Sequence, residues 1–331
     1  MPNPKLFDLL ADVGGTHARL ALSDGPNGEP TNTQVFECRN YSGLQELMHD
    51  YLQAQGHPRI RRAALAVATA VTDDLVALTN NSWSLSQRAL QAEFQLNTLL
   101  VLNDFTALAM SLPSVGPHDA IAIGRATAEP TEAVALIGAG TGLGMSGLLP
   151  DGHGGWIPIS GEGGHATVAP NDTLETAIVA YLQRYFGHVS TERVLSGQGL
   201  VNLYNAVCYV NGLDAGTLQP EDIVRLGLAK EDSSCDQALD CFCSFLGSAA
   251  GNWALSLGAR GGVYIGGGIA PRLTDRLINS RFRTAFESKG RLSGYLRRVP
   301  TWVLKDQPEN ALRGVARALS QSVGRQGGGP A

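Results

Sequence analysis

Asp12-Val13-Gly14-Gly15-Thr16, preceded by the apolar run Leu6–Ala11 and followed by Ala18–Ser23, is the stretch on which the fold turns. Strand, glycine turn, strand predicts a hairpin whose tip is bare of side chains. The pattern returns at Gly138-Ala139-Gly140-Thr141-Gly142-Leu143-Gly144, set between Val134–Ile137 and Met145–Leu149, and a third glycine turn closes Gly261-Gly262-Val263-Tyr264-Ile265-Gly266-Gly267-Gly268. Glycines let backbone N–H groups converge on an anion, because no Cβ blocks the approach and φ > 0 costs little. A Walker loop is excluded: the only lysines are Lys5, Lys230, Lys289 and Lys305, none of them in a turn. The dinucleotide fingerprint also fails, since Gly138 and Gly140 put Leu143 where the third glycine belongs. What remains is phosphate binding by glycine hairpins, with Gly140-Thr141 repeating Gly15-Thr16 as a weak internal duplication.

Outward from the first hairpin, Gln34–Cys38 supplies a third antiparallel strand. Leu44, Leu47, Met48, Tyr51 and Leu52 recur at helical spacing, and Ala63–Thr69 is a buried strand. Ser84 is expected to cap a helix carrying Leu85, Leu90 and Phe94, and Leu99–Leu102 runs as a strand into Asn103-Asp104, with a helix over Phe105–Leu112. This βββαβαβ order is, by analogy, that of the ribonuclease-H-like ATPase domain of sugar kinases, actin and Hsp70. Pro113–Pro117 reads as a hinge. Beyond the second hairpin, helices are expected near Leu174–Tyr185, Leu200–Val210, Ile223–Leu228 and Ala238–Leu257, and strands at Gly262–Ile265 and Thr301–Leu304. Asn310–Val323 is amphipathic and expected to cross back to the first domain, and Gly324–Ala331 to be a disordered tail. The fold class is therefore α/β with two actin-like ATPase domains, residues 1–114 plus about 305–331, and 115–304.

Composition narrows the function. Of 331 residues, 44% are hydrophobic and 17% charged, as in an ordinary globular enzyme. A net charge of −5 with no basic stripe argues against nucleic acid, and no apolar run approaches the ~20 residues of a membrane span. Met1–Lys5 enters a strand with no secretory pattern, so a cytoplasmic protein is expected. The five cysteines form no C-x2-C pair and read as free, buried thiols.

Asp104 is the candidate general base, at the carboxyl end of a strand where open α/β sheets place their ligands. On position alone an aspartate there is a helix cap. Asn103 beside it favours the base, since a carboxylate plus an amide can orient a sugar hydroxyl and take its proton. Gly161-Glu162-Gly163-Gly164-His165 sets a carboxylate and an imidazole on a glycine turn suited to paired hydroxyls, against the plainer reading of a solvent loop. Glu192-Arg193 is open between a surface pair and a site. Asp12 beside a phosphate turn would be repelled unless a cation intervened, which suggests Mg²⁺ or its waters, with a structural turn aspartate as the alternative.

Together these strings resemble the bacterial glucokinase family, hexokinase-like enzymes distinct from the ROK sugar kinases, whose zinc signature and N-terminal helix-turn-helix are missing. The resemblance runs through Asp12–Thr16 with Ala18-Arg19-Leu20-Ala21, Thr79-Asn80 with Trp83, Asn103-Asp104-Phe105, Gly138–Gly144, Gly161–His165, Glu192–Gly197 and Gly261–Pro271. It implies an ATP-dependent, Mg²⁺-requiring kinase of D-glucose, a homodimer with its sugar cleft between two domains. It implies that the turn from Ala11 to Thr16 binds ATP, with Gly140, Thr141, Gly142, Gly266 and Gly267 as further nucleotide contacts. Asp104 is then the base, and Asn80, Asn103, Glu162, His165 and Glu192 hold glucose. Ala11 stands where glycine is frequent and His17 where asparagine is usual. A kinase of another hexose, such as mannose or N-acetylglucosamine, and a silent sugar sensor are the other readings of the same strings.

Overall fold

The structure is a computed structural model that describes residues 5–25, 28–78, 81–129, 131–305 and 309–327, with side chains as far as Ser322. Two compact units divide the chain: 1–115 with 307–331, and 116–306.

The first unit is built on a five-stranded sheet in the order β3-β2-β1-β4-β7. Its strands are β1 (Leu6–Val13), β2 (His17–Ser23), β3 (Thr31–Glu37), β4 (Arg59–Val67) and β7 (Thr98–Asn103), while β5 (Leu75–Ala77) and β6 (Ser84–Ser86) form a separate small ribbon. β1, β2 and β3 are antiparallel neighbours, and β4 and β7 run parallel to β1. Side-chain alternation along β1 gives the sheet two apolar faces. Leu9, Ala11 and Val13 pack with Leu47, Met48 and Tyr51 of α1 (Leu44–Ala54) and with Leu90 of α2 (Gln87–Glu93). Leu10 packs with Ala64, Ala66, Ala107 of α3 (Asp104–Ser111), and Leu312, Val315 and Leu319 of the C-terminal helix Asn310–Gly327. That helix approaches α3 so closely that a Cβ on Gly314 would lie 1.7 Å from the Ala107 carbonyl oxygen. The register of β1 and β4 is keyed by a buried charge pair, Arg62 donating to Asp8 through Nε at 2.9 Å and also through Nη2.

The second unit carries a six-stranded sheet, β11-β10-β9-β12-β13-β8, with β8 (Ala120–Ile123), β9 (Val134–Ala139), β10 (Leu143–Pro150), β11 (Trp156–Gly161), β12 (Gly262–Gly266) and β13 (Thr301–Leu304). Five of its strands repeat the pattern of the first sheet: β9, β10 and β11 are antiparallel, and β12 and β13 follow β9 in parallel. The core packs these strands against α4 (Thr173–Phe186), α5 (Gly197–Val210), α6 (Pro220–Ala229) and α7 (Ser233–Leu257). All five cysteines are free and buried.

Local expectations needed three corrections. Ser84 is not a cap: Ser84–Ser86 pairs with Leu75–Ala77, and Ser86 caps α2, its hydroxyl accepting from the Ala89 N–H at 3.2 Å. The second glycine turn is only Gly140–Gly142, because Gly138 and Gly144 face each other as strand residues; Gly138 is bare because the Gly266 carbonyl carbon lies 2.6 Å from where its Cβ would be. The C-terminal helix continues through Gly327, so Gly324–Gly327 is helical, and 328–331 lie outside the described residues.

Candidate active site

At the carboxyl end of the first sheet, Asp12 continues the Leu10 side of β1 and therefore lies on the α3 face. Its cross-strand partner on β2 is Arg19, whose Nη1 donates to Asp12 Oδ2 at 3.0 Å. A positive charge therefore already lies beside Asp12, so Arg19 meets part of the repulsion that suggested Mg²⁺ there. Burial pushes the Asp12 carboxyl upward, and Arg19 partly offsets it. Arg19 Nε is itself buried with no hydrogen-bond partner among the described residues, an orphaned donor beside the site. Sequence reading did not single out Arg19; cross-strand register is the signal that finds it.

Asp104 is the first residue of α3. Its carboxyl accepts from the Phe105 N–H at 2.8 Å, yet burial, with the Asp12 charge adding, pushes it up to about 6. The helix-cap role considered for Asp104 belongs to Asn103, whose Oδ1 accepts from the Phe105 and Thr106 N–H groups at 3.0 and 3.2 Å while its Nδ2 donates to the Thr69 carbonyl at 3.3 Å. Asn103 is therefore committed to shaping the turn into α3, and its side chain also favours the charged form of the neighbouring Asp104 carboxyl.

The turn between β1 and β2 is closed by the Gly14 N–H on the His17 carbonyl at 3.0 Å, and Thr16 is tied to the Cys38 N–H at 2.9 Å. The N–H groups of Gly15 and Thr16 have no partner among the described residues. In the second unit the same pattern recurs: Gly140 N–H bonds Gly142 C=O at 2.8 Å, Leu143 N–H bonds Glu192 Oε2 at 2.9 Å, and the N–H groups of Thr141 and Gly142 have no partner among the described residues. Two turns therefore each present two adjacent free donors, which is an anion cradle. Their glycines do not need left-handed backbone: none of Gly14, Gly15, Gly140 or Gly142 has positive φ. Gly267 does, with φ +80, and a Cβ there would lie 2.3 Å from the Ala139 carbonyl, so it sets Gly266-Gly267-Gly268 against the Gly140 turn.

A cleft of about 420 Å³ opens beside that turn, lined among others by Gly140, Thr141, Leu200, Val224, Ile269 and Arg272. Sequence reading missed it because its lining comes from four separate stretches of chain.

Glu162 and His165 are exposed, with side chains unbonded among the described residues, Glu162 just before and His165 at the end of a 3₁₀ turn, Gly163–His165. The glycines of that turn are packing residues: a Cβ on Gly164 would lie 2.2 Å from the Leu143 carbonyl oxygen. Thr191 bonds the Ala166 carbonyl through its N–H at 2.8 Å and its hydroxyl at 3.0 Å, which brings Glu192 into the same neighbourhood. Arg193 turns away from Glu192, its guanidinium 4.3 Å over the Phe186 ring. Asp12, Asn103 and Asp104 thus share the first unit, and Glu162, His165, Glu192 and Gly140–Gly142 the second. Asn80 lies outside the described residues. Among the described residues no three His, Cys, Asp or Glu side chains form a metal cluster, so the donor set fits only a cation held chiefly by phosphate oxygens and water with one or two carboxylates. No described helix is long and apolar enough to cross a membrane.

Against known proteins, a family model described as Glucokinase matches residues 9–322. The glucokinase of Chromobacterium violaceum is 45% identical over 315 residues, 95% of this chain and 90% of that protein. That of Aromatoleum aromaticum is 44% identical over 322 residues, 97% and 96%. Among solved structures, a glucokinase from an Antarctic psychrotroph superposes with a TM-score of 0.87 at 36% identity, over 95% of this chain and 99% of that one. A Balamuthia mandrillaris glucokinase solved with glucose shares the fold at a TM-score of 0.72 and 19% identity, over 94% and 92%. With the family match running from the first glycine hairpin to the C-terminal helix, and relatives this similar over nearly the whole chain, the protein belongs to the glucokinase family.

Proposed function

We propose that the chain transfers the γ-phosphoryl group of ATP to the 6-hydroxyl of D-glucose, releasing ADP and glucose 6-phosphate. The observation that carries this reading is Asp104, a carboxylate raised to about 6 at a strand's carboxyl end, in a chain whose glycine turns present free N–H pairs and no P-loop lysine. Asp104 accepts the hydroxyl proton as the sugar oxygen forms its bond to the γ-phosphorus and the bond to the ADP oxygen breaks. The N–H pairs at Gly15-Thr16 and Thr141-Gly142 receive phosphate oxygens, and the cleft beside Gly140 accepts the nucleoside. Glu162, His165 and Glu192 pair the sugar hydroxyls, and Asn103 orients Asp104. If Mg²⁺ is bound with ATP, Asp12, through water, is the residue that would hold it, and it would neutralise phosphate charge.

The wider reading is that each unit is a ribonuclease-H-like domain, supported by the repeated antiparallel-antiparallel-parallel-parallel order. Further parts of it are a family distinct from the ROK kinases, a homodimer and a cytoplasmic setting, the second of which light scattering would test. For the activity itself, the test is ATP-dependent phosphorylation on a hexose panel with product analysis. Glucose 6-phosphate as the main product is expected. Faster turnover of mannose or N-acetylglucosamine, or no turnover of any sugar, would overturn the reading.

A further inference from the structure

Glu192 faces two partners at once. One carboxylate oxygen, Oε2, accepts the Leu143 N–H at 2.9 Å, and the same oxygen sits 2.6 Å from where a Cβ on Gly142 would be. The other oxygen, Oε1, has no partner among the described residues and belongs to the group that the proposed function places on glucose. The short helical turn that carries Glu192 is bonded through Thr191 to Ala166, next to His165. One side chain therefore spans the proposed sugar residues and the phosphate turn with no intervening element.

We propose that Glu192 is a positioning residue for the Gly140–Gly142 turn, through which a bound sugar sets the affinity for nucleotide. The inference rests on the proposed function. Glucose drawing on Oε1 fixes the carboxylate, and Oε2 then holds the Leu143 N–H, so the free N–H groups of Thr141 and Gly142 keep one orientation. Without sugar the carboxylate has a single anchor, and the turn has more freedom to lose when phosphate binds. Because binding coupling is reciprocal, nucleotide tightens sugar by the same factor. Gly142 is bare on this account because a side chain would push Oε2 off the turn.

Isothermal titration of ADP into the full-length protein, with and without saturating glucose, tests it. Wild type is expected to bind ADP more tightly with glucose. Glu192→Ala strands the Leu143 N–H and is expected to bind ADP roughly tenfold more weakly, with glucose no longer changing that affinity. Glu192→Gln keeps a carbonyl acceptor for Leu143 and should stay within about twofold of wild type for ADP while losing glucose affinity. Gly142→Ala should weaken glucose binding measured without nucleotide, although the residue lies on the phosphate turn. An unchanged glucose effect in Glu192→Ala, equal ADP loss in Glu192→Gln, or normal glucose binding by Gly142→Ala would each overturn the coupling. Should Glu192→Ala fail to fold, the other two variants decide alone. A wild type that phosphorylates glucose but shows no such effects retains the proposed function and loses this inference; one that phosphorylates no sugar loses the function itself.

Discussion

Asp104 and Asn103 divide the labour that a two-residue motif leaves undivided. Asn103 caps α3 through the Phe105 and Thr106 N–H groups, while the Asp104 carboxylate takes only the Phe105 N–H and sits in a largely buried setting beside Asp12. Replacing Asp104 by Asn keeps a hydrogen-bonding group but removes the proton acceptor, so kcat is expected to fall ~10²–10⁴-fold with glucose binding largely kept. Near-native kcat would remove Asp104 from the role of base. In wild type a base raised to about 6 must be ionised to work, so kcat/KM is expected to fall as pH drops through about 6. A profile flat to pH 5 would contradict that. Stability moves the opposite way. The unfolded chain ionises this group near ~3.9, so ionising it in the folded protein is unfavourable, and stability is lost as pH rises through about 6. Asp104→Asn is therefore expected to be more stable than wild type at pH 7.5, by on the order of 1–3 kcal/mol, with the gain vanishing near pH 4 in urea titrations.

At the scale of elements, the three glycine turns look alike in sequence but differ in construction. The turns at Gly14–Thr16 and Gly140–Gly142 are hairpin tips whose glycines have no positive φ, and their proposed function lies in N–H groups without a partner among the described residues. The turn at Gly266–Gly268 depends on backbone that only glycine adopts readily: φ +80 at Gly267, pressed on the Ala139 carbonyl. Gly267→Ala must both strain φ and move Ala139, the residue that ends the strand before Gly140. It is expected to lose about 1–3 kcal/mol of stability and to raise KM for ATP more than KM for glucose. Thermal melts and initial-rate kinetics check this, and an equal rise in both constants would show a general loosening instead.

Across the whole molecule, the first unit is incomplete until the end of the chain is made. Leu312, Val315 and Leu319 of the C-terminal helix are buried against Leu10, Ala64, Ala66 and Ala107. Three such side chains contribute about 5–9 kcal/mol of apolar burial, comparable with the ~5–15 kcal/mol that holds a domain folded. A chain ending at Lys305 should therefore lose the first unit while the second survives. Limited proteolysis read by mass spectrometry is expected to cut between residues 5 and 115 and to protect 116–305. Equal protection of both would show that the helix is dispensable.

Local chemistry was enough for the sequence to determine much of this protein. Short apolar runs beside turns located the sheet strands β1, β2, β4, β7, β9 and β10 to within a few residues, helical spacing located α1 and α4 to α7, and a strand ending in Asn103-Asp104 marked the candidate base. Those signals depend on each residue and its near neighbours along the chain. Tertiary structure alone decided the rest. The Arg19–Asp12 pair needs the β1–β2 register, the Glu192–Leu143 bond joins residues 49 apart, and the cleft beside Gly140 gathers four distant stretches. The glycines at 138, 164 and 314 are explained only by backbone arriving from elsewhere in the chain. Sequence period reports which way a side chain faces; what it meets there is fixed by packing between segments that the sequence does not list side by side.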